Sequence, residues 1–139
     1  MAQKVKKRLP LIITAALIAF IWIQSMLPAS VSASESRGLL AKLLPYFPFL
    51  THNLLRKMAH FGEYAVLGAS IAVLFRYVKK NRLLAIIMVF SVPFIDETIQ
   101  IFSDGRGPLI TDVWIDIGGI MTGIILAQII LHIIKRIKN

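Results

Sequence analysis

Four stretches of this chain, residues 9–27, 58–75, 83–102 and 110–134, are apolar over lengths close to the roughly 20 residues a helix needs to cross a bilayer. Hydrophobic residues make up 57% of the 139, and mean hydropathy is +0.74. A water-soluble chain this small would lack the polar residues to cover its own surface. The expected fold class is therefore all-α: an integral membrane four-helix bundle, forming one domain over residues 1–139. Residues 28–57 are expected as an outer loop.

Lysine and arginine set the orientation. Lys4, Lys6, Lys7 and Arg8 precede the first stretch, Arg76, Lys79, Lys80 and Arg82 join the second to the third, and Lys135, Arg136 and Lys138 follow the fourth. Only Arg37, Lys42, Arg56, Lys57 and Arg106 fall on the other side. The positive-inside rule then puts both termini in the cytoplasm. The net charge of +9 follows this topology and is no nucleic-acid footprint, so no nucleic-acid partner is expected. Cysteine is absent, which excludes disulfides, thiolate catalysis and cysteine-ligated metals.

The basic start, the apolar run and Val31-Ser32-Ala33 resemble a cleavable signal, but the run is longer than a typical signal core, and the first stretch is expected to remain as a span. In the outer loop, Ser30 to Ser36 is small and polar. Residues 39–50, with Pro45 and Pro48, are expected as a short helix and turn on the outer interface, anchored by Tyr46, Phe47 and Phe49.

Five of the seven acids (Glu63, Asp96, Glu97, Asp112 and Asp116) fall in or at the ends of the apolar stretches. Ionisable groups are expensive to hold in a span and normally face its protein interior. Lys57, His60, Tyr64 and Leu67 share one face of the second span, with Glu63 one step round. In the third, Asp96 and Gln100 stack at i, i+4, and Glu97 reaches Gln100 at i, i+3. Pro93 removes a backbone hydrogen bond just before them. In the fourth, Asp112, Asp116, Gly119 and Gly123 lie in one arc, and the two glycines admit a close neighbouring helix. At 1.5 Å per residue His60, Glu63, Asp96, Glu97 and Asp116 sit about 5–10 Å below the outer ends of their helices, at similar height. Arg106, in the turn of residues 103–108, is a counter-charge or a phosphate clamp. His60, Lys57 and Arg106 stand against five acids, so some acids are expected to be protonated, shared or cation-bound.

With these residues in view, the chain resembles the VanZ-like membrane protein family. Residues 56–64 through Gly68 look like its first motif, and Asp96-Glu97-Thr98-Ile99-Gln100 with Arg106, Asp112, Asp116, Gly119 and Gly123 like its second. Ser25 and the serines that follow it resemble the family's exit from the first span. The resemblance implies a multi-pass protein of the bacterial plasma membrane, in the setting of the cell envelope. It also implies a link to low-level resistance to the glycopeptide teicoplanin, the property associated with the founding member.

Three functions are weighed. The first is a polar pocket near the outer leaflet that binds a membrane lipid, a lipid-linked cell-wall precursor headgroup, a lipoglycopeptide or a cation. Its binding residues are Lys57, His60, Glu63, Tyr64, Asp96, Glu97, Gln100, Arg106, Asp112 and Asp116. The second is an intramembrane hydrolase or transferase of lipid phosphate, in which His60, Glu63, Asp96 and Glu97 supply a base or hold a divalent cation. The third is a structural protein whose polar groups only fix packing. The first is the reading adopted here.

Overall fold

The computed structural model describes residues 2–77 and 82–138. Among the described residues it contains no strand and five helices: α1 (Ala2–Ser25), α2 (Ala29–Leu43), α3 (His52–Leu74), α4 (Arg82–Gln100) and α5 (Ile110–Ile137). Lys79 and Lys80 of the expected basic connection lie outside the described residues. Among the described residues two helices are long and apolar enough to cross a membrane, α1 over Arg8–Ser25 and α5 over Ile110–Ile137.

The outer loop departs from expectation. The serine-rich segment is helical, because α2 begins at Ala29 and runs to Leu43. Two serines join the helix by donating their hydroxyls back to it, Ser34 to the Val31 carbonyl and Ser36 to the Ser32 carbonyl. The Ala29 N–H, which has no partner within its own helix, donates to the Asp104 carbonyl at 3.0 Å. Residues 39–50 therefore hold only the end of α2 and a run of turns. Tyr46, Phe47 and Phe49 are exposed there. Helix α3 also starts six residues before the expected position 58. The Thr51 hydroxyl accepts the Leu54 N–H at 3.2 Å and caps it.

Helix α3 packs chiefly on α5, and also on α1 and α2, while α4 touches α1 and α5. Buried Ile21, Tyr64, Leu67, Ile71, Val89, Val92 and Ile120 form the apolar core. The α3–α5 seam is backbone against backbone. A Cβ at Gly119 would stand 2.5 Å from the Phe61 carbonyl oxygen, one at Gly123 would run into the Ala65 carbonyl, and one at Gly68 into the Ile120 carbonyl. Residue numbers along both helices rise together through these contacts, so α3 and α5 run parallel. Pro93 lies inside α4 without ending it, and Gly105, at φ +71°, takes the left-handed conformation in the turn to α5.

The blocking atoms at Gly123 are backbone and cannot swing aside, so Gly123→Ala forces the helices apart at a cost of about 1–3 kcal/mol. Gly62→Ala meets nothing within 4 Å and removes a helix-weakening glycine. Thermal denaturation in detergent should lower the midpoint for Gly123→Ala and leave it unchanged or raised for Gly62→Ala.

Candidate functional site

The N-terminal ends of α3 and α5 and the C-terminal ends of α1 and α4 bring most of the expected polar residues together. On α5, Asp112 and Asp116 are one turn apart and both buried, at 3% and 0% exposure. They meet α3 at matching steps: Arg56 Nη2 donates to Asp112 Oδ2 at 2.9 Å, and His60 Nδ1 stands 3.5 Å from Asp116 Oδ1. The second contact is too poorly formed to be a hydrogen bond. His60 Nδ1 and both Asp116 carboxylate oxygens are buried without a partner.

Asp96 and Glu97 are adjacent but serve different neighbours. The Ser25 hydroxyl at the end of α1 donates to Asp96 Oδ1 at 2.5 Å, and Gln100 Nε2 lies 3.4 Å from Asp96 Oδ2. Glu97 Oε2 accepts the Leu109 N–H at 2.7 Å. Leu109 is the N-cap residue of α5 and has no side-chain cap of its own, so Glu97 from another helix covers one of the orphan donors there. Gln100 Nε2 also reaches Glu97 Oε1 at 3.4 Å. The Ser103 hydroxyl donates to the Ser25 carbonyl at 2.8 Å, tying the α4–α5 turn to the end of α1. One ligand atom from each of His60, Asp96 and Asp116 lies within 4.8 Å of the others.

A cavity of about 130 Å³ opens beside this cluster. Ser25, Arg56, His60, Glu63 and Arg106 line it together with Gln24, Ser32, Glu35 and Ser36. It is smaller than the roughly 300–1,000 Å³ of pockets for drug-sized ligands. Burial, and then the charge of nearby Arg56, lower the Arg106 pKa from its ordinary value, against the opposing pull of Asp96 and Glu97. An arginine nonetheless stays protonated. Among the described residues Arg106 makes no ion pair. Two guanidinium groups thus share a small cavity, and only Arg56 is matched to an acid.

Not every expected residue is drawn in. Lys57 neither lines the cavity nor pairs with an acid among the described residues. Its neighbour Arg56 takes that place, four residues before His60 and so on the His60 face of α3. Tyr64 is fully buried in the apolar core, with its hydroxyl unpartnered. Glu63 lines the cavity without an ion pair among the described residues. Ser25, Arg56, Gln24 and the α2 residues Ser32, Glu35 and Ser36 were not expected as site residues. The i, i+4 spacing of Arg56 and His60 was a usable signal for Arg56; nothing in the sequence pointed to α2.

Removing Arg56 would leave the buried Asp112 carboxylate unpaired, at about 1–3 kcal/mol. Arg56→Ala should lower the thermal midpoint in detergent. The double variant Arg56→Ala/Asp112→Ala should lose less than the two single losses added together, since the two residues act on one contact.

A family model described as VanZ/LLP1 matches residues 10–131. No curated protein and no solved structure matches the chain. The matched segment runs from within α1 into the last turns of α5 and takes in the buried carboxylates, His60 and both arginines. The chain belongs to the VanZ/LLP1 family.

Proposed function

We infer that this is a multi-pass protein of the bacterial plasma membrane that binds the anionic headgroup of a membrane lipid or lipid-linked cell-wall precursor near the outer leaflet. Support for the topology comes from the contacts of α1 with α3, α3 with α5, α5 with α4 and α4 with α1, which close a ring of four helices. The exposed isoleucines along the C-terminal half of α5 suit lipid contact. The basic ends of the helices orient both termini to the cytoplasm, leaving α2 and the turn of residues 103–109 outside.

The observation that carries the headgroup reading is the pair of guanidinium groups, Arg56 and Arg106, lining one small polar cavity. Guanidinium is matched in shape and charge to phosphate, and Arg106 makes no ion pair among the described residues, although Glu35 and Glu63 also line the cavity. The cavity volume suits a phosphate-sized group, with the acyl chains left in the bilayer. Through this site the protein lowers the access of teicoplanin-like lipoglycopeptides to their lipid-linked target, in keeping with its family.

Arg106→Gln should reduce by at least about tenfold the anionic phospholipid that stays bound in native mass spectrometry, the scale of one charge-assisted hydrogen bond. Retention equal to that of the unaltered protein would refute the headgroup reading. Turnover of a labelled lipid phosphate, lost in Asp96→Asn, would replace binding by catalysis. The chain has no cysteine of its own, so single cysteines test the topology directly. Ser34→Cys should react with an impermeant thiol reagent in intact cells, and Lys138→Cys only after the membrane is opened.

A further inference from the structure

We propose that His60, Asp96 and Asp116 hold a divalent transition-metal ion, of the Zn²⁺ or Mn²⁺ class, inside the helix assembly. Three helices supply one ligand each, and the three ligand atoms lie within 4.8 Å of one another. Bonds of about 2.0–2.2 Å put two ligands of a tetrahedral ion about 3.3–3.6 Å apart. His60 Nδ1 and Asp116 Oδ1 already stand at 3.5 Å, and binding would draw the widest pair of the set inward by at most about 1.2–1.5 Å.

Asp116 gives the independent sign of a ligand. Its side chain is 0% exposed and faces His60, yet neither carboxylate oxygen has a hydrogen-bond partner. A buried carboxylate in that state is costly unless something positive meets it. Neither Asp96 nor Asp116 pairs with a lysine or arginine among the described residues. A divalent ion cancels the two carboxylate charges and leaves His60 neutral, as a ligating imidazole must be.

Asp96 has the support expected of a ligand. Ser25 donates to its Oδ1 and fixes the carboxylate, leaving Oδ2 with only a long contact to Gln100. One imidazole nitrogen with two carboxylate oxygens favours Zn²⁺ or Mn²⁺ over Ca²⁺ or Mg²⁺, which prefer all-oxygen sites. His60 and Ser25 also line the cavity, so the ion borders it. A phosphate held by Arg106 can then complete the coordination sphere. That last step rests on the headgroup reading; the metal site itself does not.

The test uses the full chain, purified without a histidine tag, stripped with a chelator and titrated with Zn²⁺ or Mn²⁺ against excess Mg²⁺. Bound metal is counted by mass spectrometry and the thermal midpoint is followed. One ion per chain and a raised midpoint are expected. Both should vanish in Asp116→Asn and in His60→Gln, and either variant suffices if the other does not fold. Ser25→Ala should weaken binding about 10–100-fold by removing only the support of Asp96. No stoichiometric ion in the unaltered protein, or equal metal in both ligand variants, leaves a His60–Asp116 ion pair only and overturns the proposal. Arg106→Gln separates the two readings. Metal retained with lipid lost supports both, lipid lost from a chain that never binds metal removes the ion alone, and metal bound with lipid unchanged removes the headgroup alone.

Discussion

The close approach of α3 and α5 is the contact on which the rest depends. Three glycines, Gly68, Gly119 and Gly123, let one helix backbone lie against the carbonyls of the other. Backbones this close are held by van der Waals contact at short range. Because the helices run parallel, the same seam sets Arg56 beside Asp112 and His60 beside Asp116. Apolar packing below and polar pairing above are one interface. A shift of one residue in its register would separate both pairs.

The polar end is then closed by contacts made outside that seam. Ser25 reaches Asp96, Ser103 reaches the Ser25 carbonyl, Glu97 reaches the first turn of α5, and the Ala29 N–H finds the Asp104 carbonyl. Each of these meets a helix end or a buried acid that would otherwise lack a partner. Among the described residues Asp116 is buried with neither carboxylate oxygen partnered, whereas Asp96, Glu97 and Asp112 each have a partner. Towards the opposite end of α5 the isoleucines are exposed from Ile125 onward.

Much of the fold could be read in the chain. The third and fourth apolar stretches match α4 and α5 to within three residues at their ends, since apolar length is a strong signal. Helix α3 was read as starting too late because its first turn is polar and its start is set by Thr51, not by hydropathy. Helix α2 was missed because serine weakens a helix on average. Here the serine hydroxyls bond back to the helix, and its first N–H is met by a distant turn. Arg56 and Lys57 show the same limit, since the structure turns Arg56 to Asp112 and the cavity. Periodicity narrows a helix face to neighbouring positions, and only the partner helix decides between them.

The sequence alone determined the helical class, the lengths of its apolar stretches and the spacing that puts Asp112, Asp116, Gly119 and Gly123 on one face, because these depend on local chemistry and on 3.6 residues per turn. Tertiary structure decided which groups meet. It joined His60, Asp96 and Asp116 from three helices, gave Asp112 to Arg56, engaged Asp96 with Ser25 and Glu97 with Leu109, and placed α2 against the cavity. Those meetings join residues as many as 71 positions apart in the chain. No local pattern records them, because they follow from how closely and in what register the helices pack.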